Sequence, residues 1–422
     1  MKKNQLYKAI QKKWEKKNGD HNFLKNKNLK IKLHQPTFGV DEIAAFTEQM
    51  ITTNVTMGKE VERFEDNYSN YLKTKYSVSS NSGSSANLLM IAALCNPYNK
   101  DKLNFGDEVI IPALTWSTTM FPLTQYGLKP VFVDCDLKTL NIDLNKIEDA
   151  IGPKTRAIFI VHIYGNPCDM TGIISICKKY NLLLIEDSCE SMGAYFNKSP
   201  VGSFGLMSSF SFYFSHHITC MEGGITVTKD KSLFESMKMI RSHGWIRNIK
   251  NKAKWKKMSP NIDPKFLFVN EGYNLRLTEP QAVMASIQLK KLDMFVEKRR
   301  RAATYYKKKF KEFEGDFFYQ DETKNSYHSW FGFPITIKNR KIKSKALCDY
   351  LNRNGIETRT VVSGNLAKQP VTKLYPNRVS GKLENVNYIM NNSFSIGCHQ
   401  DITYDEIDYV YMKIKRFLKK TL

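Results

Sequence analysis

Three stretches of this 422-residue chain place chemistry-bearing side chains at turns. The run Ser79-Ser80-Asn81-Ser82-Gly83-Ser84-Ser85-Ala86-Asn87 leads into an apolar helix from Leu88 to Cys95. Small hydroxyl residues and a glycine at a helix start expose backbone N–H groups at the positive end of the helix dipole, which suits a phosphate. A plain serine cap reads the same way. The run Leu182-Leu183-Leu184-Ile185-Glu186-Asp187 sets two acids at the carboxyl end of a buried strand, the edge at which open α/β sheets collect ligands. Asp187 could there hold a charged heterocycle, and Glu190 could face the same cleft; either acid could equally serve a helix N-terminus. The third stretch runs from Ser208 to Thr219, carries His216-His217, and closes on Met221-Glu222-Gly223-Gly224. It supplies a hydroxyl, an imidazole that titrates near neutrality and a tight glycine return. Neighbouring strand residues point to opposite faces, and no further His or Cys stands at metal-ligand spacing, so no metal site is expected.

Turns of this kind need a rigid sheet behind them. Short β-branched runs at Glu108 to Pro112, Pro130 to Asp134, Ala157 to His162, Leu182 to Glu186, Ser208 to Tyr213 and Gly224 to Val227 alternate with helical segments. Near-continuous apolar strands separated by helices predict a largely parallel sheet buried on both faces, in the α/β class. From Phe295 to Phe313 the chain reads as a helix dense in cations (Lys298, Arg299, Arg300, Arg301, Lys307, Lys308, Lys309), expected to be a solvated face leading out of the large domain. Trp330 to Ile337, a helix from Ser344 to Arg353 and a closing helix from Tyr404 to Lys420 suggest a smaller α+β domain. The expected division is a basic extension at 1–35, a large domain at 36–313 and a small C-terminal domain at 314–422.

Composition narrows the function classes. With 42% hydrophobic and 25% charged residues the chain can bury a core, so a disordered binding segment is excluded. The longest apolar stretches, such as Ala157 to Ile163, fall far short of the roughly 20 residues of a membrane span. No apolar signal core follows Met1-Lys2-Lys3, and the cytoplasm is the expected compartment. Eight cysteines stand no closer than nine positions apart, which fits buried reduced thiols rather than a zinc knuckle. The net charge of +23 attracts anions, but much of it is peripheral: residues 1–35 hold eleven lysines against Glu15 and Asp20, and Arg247 to Lys257 adds six cations. No nucleic-acid motif accompanies the charge, so no nucleic-acid partner is expected.

Taken in order, the serine-rich helix start, Asp187 and the turn closing on Glu222-Gly223-Gly224 resemble the sugar aminotransferase (DegT/DnrJ/EryC1/StrS) family of pyridoxal phosphate enzymes over residues 36 to 420. Trp116-Ser117-Thr118-Thr119, His243-Gly244-Trp245, Gly272-Tyr273-Asn274, Trp330-Phe331-Gly332-Phe333, Gly364-Asn365 and His399-Gln400 agree with it. In that family a lysine in the turn before Glu-Gly-Gly anchors the cofactor covalently, whereas here His216 stands at that place and the nearest lysines are Lys198 and Lys229. Within the family this replacement marks the sugar 3-dehydratases, most closely the branch acting on a GDP-linked 4-keto-6-deoxymannose.

The resemblance implies a type I aminotransferase fold and a homodimer with shared active sites. It implies pyridoxal 5'-phosphate and pyridoxamine 5'-phosphate as cofactor, L-glutamate as amino donor, and removal of the sugar C3 hydroxyl with release of ammonia. It further implies that Gly83, Ser84 and Ser211 bind the cofactor phosphate, with Asn274 reaching in from the second subunit. Trp116 would stack on the ring, Asp187 pair with its nitrogen, Glu190 lie near its hydroxyl, and His216 act as base. His243, Arg247, Arg276 and Arg359 are candidates for holding sugar or diphosphate. A sister branch acting on a CDP sugar carries an iron-sulfur cluster on cysteines after the stretch equivalent to Trp245; Ile246 to Asp263 has no cysteine, so no cluster is expected. A 4-aminotransferase using another lysine, a dehydratase for a CDP- or other nucleotide-linked sugar, and a scaffold built on an inactive fold remain as alternatives.

Overall fold

The expected apolar runs form strands at Glu108–Pro112, Lys129–Val133, Thr155–Val161, Leu183–Asp187, Met207–Ser211 and Gly224–Thr228. The computed structural model describes residues 3–18, 30–249 and 252–422. Parts of the basic extension (1–2 and 19–29) and residues 250–251 of the cationic stretch lie outside the described residues. With Tyr76–Ser80 and Arg378–Val379 the six strands make one eight-stranded sheet, ordered 76–80, 224–228, 207–211, 183–187, 155–161, 108–112, 129–133, 378–379. All neighbours are parallel except the two pairs made by Gly224–Thr228, which is antiparallel on both sides. The sheet is the centre of a mostly parallel α/β architecture.

Side chains that alternate along a strand feed two separate cores. Phe159 joins Leu89, Val109 and Phe132 on one face, while Ile158 and Ile160 join Ile110 and Val131 on the other. Coverage of both faces explains why the strands read as continuous apolar runs. The single reversed strand matters for chemistry. Ser80 and Ser211 both pair with Gly224, so the ends of two strands and the start of a third meet at one sheet edge. Asp187 pairs with Ser209 one strand further on. All three turns singled out above therefore open at the same edge.

A three-stranded antiparallel sheet of Phe317–Tyr319, Phe333–Ile337 and Ser393–Ile396 packs with the helices Ser344–Arg353 and Tyr404–Thr421 around a core of its own. This C-terminal stretch is tied back to the large sheet. Arg378–Val379 pairs with Val131 and Phe132, and Val361, Val362, Leu366, Val386 and Ile389 enter the large sheet's core. Ile31, late in the basic extension, is buried in the smaller core and bridges to Ile356.

The helix Leu292–Phe310 corrects one expectation. Lys298, Arg301 and Lys308 are exposed, but Arg299 is only 1% exposed. It falls in the buried stripe Leu292, Phe295, Val296, Arg299, Ala302, Ala303 and Tyr306, whose three- and four-residue spacing places it inward. No helix among the described residues is long and apolar enough to cross a membrane. All eight cysteines are free thiols.

Candidate active site

The first wall of the site is the start of the helix Gly83–Leu94. Ser82 caps it by accepting from the Ser85 N–H at 3.1 Å. A side chain at position 83 has no room: a Cβ there would come 2.5 Å from Ser211 Cβ and 2.8 Å from Ser211 Oγ. Glycine thus lets the helix start and the end of Met207–Ser211 close into a cradle of backbone N–H groups and small hydroxyls, the arrangement that receives phosphate.

Asp187 ends its strand 5% exposed. Its Oδ2 accepts from Asn87 Nδ2 and from Thr119 Oγ1, each at 2.8 Å, and its Oδ1 from the Cys189 N–H at 3.2 Å. These neutral donors hold a carboxylate in place without neutralising it, which leaves its charge for a cation in the cleft. The adjacent acid goes elsewhere. Glu186 faces away and accepts from the N–H groups of Gly202, Phe204 and Gly205. His162 Nδ1 accepts from the Cys168 N–H, so its proton sits on Nε2, 3.2 Å from Glu186. This pair secures a loop rather than a ligand.

Glu190 accepts from the Tyr164 N–H at 2.8 Å, yet burial pushes its carboxyl up to about 7, against the opposing pull of that hydrogen bond and of Arg359. Because the unfolded group titrates near 4.3, the folded state holds the extra proton in between, and stability falls as pH rises from about 4.3 through 7. Glu190→Gln is expected to flatten that decline. Chemical denaturation of the cofactor-free protein across pH 5 to 8 measures it, and an unchanged slope would contradict the assignment.

His216 follows the strand Met207–Ser211 in a turn closed by its own N–H to the Tyr213 carbonyl, 2.9 Å. Its ring lies against Phe331, with centroids 4.9 Å apart and planes at 25°. Nδ1 is buried and has no hydrogen-bond partner among the described residues. Burial, then the charges of Arg299 and Arg359, lower its titration to about 3, so it is a neutral imidazole with a free lone pair. His217 turns the other way and pairs through Nε2 with the Ser329 carbonyl at 3.0 Å.

These groups line a single cavity of about 450 Å³ that contains Gly83, Ser84, Trp116, Asp187, Glu190, Ser211, His216 and Arg359. Trp116 is 51% exposed, an aromatic face turned to the opening rather than to the core. Among the described residues no lysine lines this cavity. Lys198 borders a separate depression, and Lys229 is bonded to the Ser203 carbonyl. Four predicted residues lie outside the cavity. Asn274 is exposed and accepts from Arg276 Nε at 3.0 Å, Arg276 borders another hollow beside Met57, His243 is exposed, and Arg247 sits 5.0 Å over the Trp245 ring.

A profile of the DegT/DnrJ/EryC1/StrS aminotransferase family matches residues 36–415. The chain belongs to this family. Among curated relatives of this family member, the GDP-4-keto-6-deoxy-D-mannose 3-dehydratase of Escherichia coli O55:H7 is 43% identical, over 85% of this chain and 93% of its own length. Among solved structures, a GDP-4-keto-6-deoxymannose-3-dehydratase variant with bound GDP-perosamine superposes with a TM-score of 0.87 at 40% identity, covering 91% of this chain and 100% of that one. A structure of GDP-4-keto-6-deoxymannose-3-dehydratase with a trapped PLP-glutamate geminal diamine gives a TM-score of 0.84 at 39% identity, over 90% and 99% of the two chains.

The sequence reading missed the residues that hold the site's main groups. Asn87 is a fully buried amide directly before the apolar run Leu88 to Leu94, and Thr119 and Phe331 lie inside stretches noted only for their likeness. A buried polar residue on a helix that also starts a phosphate cradle was the available signal for Asn87.

Proposed function

We propose that this protein is a pyridoxal phosphate/pyridoxamine phosphate-dependent nucleotide-sugar 3-dehydratase that removes the C3 hydroxyl of GDP-4-keto-6-deoxymannose. L-glutamate is the amino donor and ammonia is released. The observation that carries this reading is a cavity with the cradle, aromatic face and buried acid suited to pyridoxal phosphate, in which an imidazole and no lysine stands at the end of the third turn. The names of the similar dehydratases and what their structures hold support the substrate and cofactor class.

The residues present fit the cofactor. Gly83, Ser84 and Ser211 would hold its phosphate, Trp116 would cover its ring, Asp187 would pair with the ring nitrogen, and Glu190 would lie near the ring hydroxyl. When bound as the amine, the cofactor supplies a nitrogen that condenses with the sugar's C4 ketone and a conjugated ring that takes up electrons. His216 receives a proton at Nδ1 and returns it, but it cannot replace a lysine as covalent anchor. Anionic groups drawn into the cavity oppose the two guanidiniums and raise the imidazole toward neutrality, where a base transfers protons best. Arg359 would hold sugar or diphosphate. Asn274, His243, Arg247 and Arg276, all outside the cavity of their own chain, would serve a second copy's site in a homodimer. The eight free thiols support a cytoplasmic location.

Turnover of GDP-4-keto-6-deoxymannose with glutamate tests this reading. The sugar should lose one oxygen atom, with one 2-oxoglutarate and one ammonia formed per turnover. A stable amino sugar without ammonia would reject it in favour of the aminotransferase.

Gly83→Ala is expected to weaken pyridoxal phosphate binding by roughly 10- to 100-fold, because an added methyl in a closed contact costs about 1–3 kcal/mol. Absorbance titration of the cofactor measures this, and unchanged affinity would remove the cradle from the phosphate site.

A further inference from the structure

A guanidinium is buried where an apolar side chain would fill the helix stripe. Arg299 donates through Nη1 to the carbonyls of Trp330, Phe331 and Cys398 at 3.3, 3.2 and 3.0 Å, and through Nη2 to Gln400 Oε1 at 3.3 Å. Every one of these acceptors is neutral, no salt bridge to Arg299 occurs among the described residues, and its Nε has no partner. Burying a charge on dipoles, with the Asp401 carboxylate acting on it only at longer range, is costly, and a methionine or leucine at this position would avoid the cost. What the charge accomplishes lies at the other end of the segment it grips. Trp330 adopts the left-handed backbone, with φ of 51°. The neighbouring N–H of Phe331 bonds the Tyr164 carbonyl at 2.8 Å. Held from both sides, Phe331 lays its ring against His216.

We propose that Arg299 is a positioning residue for His216, acting through Phe331. It fixes the carbonyls of residues 330 and 331, and so the aromatic surface on which the imidazole rests. The inference rests on the reading of His216 as the proton-transfer group. Arg299 also places a positive charge near the imidazole, which supports its neutral form. The other charged or titratable groups around His216 among the described residues are Arg359, Glu190, Asp187, Glu222, Cys189 and Tyr213 at the cavity, His34 from the N-terminal segment and His217 beside it in the chain. The backbone of Cys189 favours the protonated form.

The test uses the purified full chain and the variants Arg299→Met, Arg299→Lys and Phe331→Leu. Loosening a reacting group by about 1 Å can cost on the order of 100-fold, so Arg299→Met should lower kcat by about that factor with KM for the sugar nearly unchanged. By NMR of labelled histidine, with His216→Asn giving the assignment, the His216 titration should move to higher pH in Arg299→Met. Arg299→Lys should keep the low titration but not the full kcat, because one ammonium cannot span four acceptors. Wild-type kcat together with an unmoved titration in Arg299→Met would overturn the proposal. Should Arg299→Met not fold, Phe331→Leu decides: kcat falling about tenfold with cofactor absorption retained supports it, and unchanged kcat overturns it. A wild-type protein that never dehydrates the sugar would instead reject the functional reading, while the histidine titration would still report on Arg299.

Discussion

Replacing His216 with alanine is expected to lower kcat by about 10²- to 10⁴-fold, the contribution of one positioned acid–base group. Cofactor binding should survive with little change, since Gly83, Ser84, Ser211, Trp116 and Asp187, the residues proposed to hold it, line the same cavity from other elements. That separation follows from the topology. The phosphate cradle belongs to a helix start and a strand end, whereas His216 belongs to the turn beyond that strand and leans on Phe331 from the C-terminal stretch. An imidazole that also anchored the cofactor would give a different outcome, with affinity and kcat lost together. Single-turnover rates combined with an absorbance titration distinguish the two.

Asp187→Asn should lower kcat by roughly 10²- to 10³-fold, the loss seen when one preorganised electrostatic partner of a reacting group is removed. The amide has the size of the carboxylate, so packing is kept while the charge is lost. It also misfits its surroundings. Asn87 Nδ2 and Thr119 Oγ1 both donate to Oδ2, and the amide can offer only one oxygen, so either a donor there is left unpaired or an N–H₂ turns toward the ring nitrogen. The variant should bind pyridoxal phosphate more weakly, and its bound-cofactor absorbance should show the ring nitrogen deprotonating at lower pH than in the wild type. Near-wild-type kcat would mean that Asp187 only supports the strand end.

How much of this could be read from the chain differs by element, for physical reasons. Buried parallel strands such as Thr155–Val161 announce themselves because both faces are covered and the run Ala157 to Val161 is apolar throughout. Tyr76–Ser80 does not: its Ser-rich sequence resembles a loop, although four of its five residues are buried. Two of its serines are satisfied instead by the buried Glu65, which accepts from Ser79 N and Ser79 Oγ, while the Glu65 carbonyl accepts from Ser77 Oγ, and Ser80 Oγ donates to the Ser82 carbonyl. Arg378–Val379 is two residues long and carries no period at all. Arg299 was legible in principle, since helical spacing puts it in the buried stripe, but the surrounding run of lysines and arginines suggested a wet face. In the site, residues close to the three turns come together because the turns share a sheet edge. Asn274, His243, Arg247 and Arg276 do not join them within one chain, and no sequence spacing reports which copy of a molecule a side chain serves.

The sharpest measurement is the mass of the intact protein after loading with pyridoxal phosphate, reduction with borohydride and denaturation. With an imidazole where a lysine anchor would stand, the chain should keep its unmodified mass, and the cofactor should separate from it on unfolding although it was bound before. A chain carrying one reduced cofactor on a lysine would contradict the assignment.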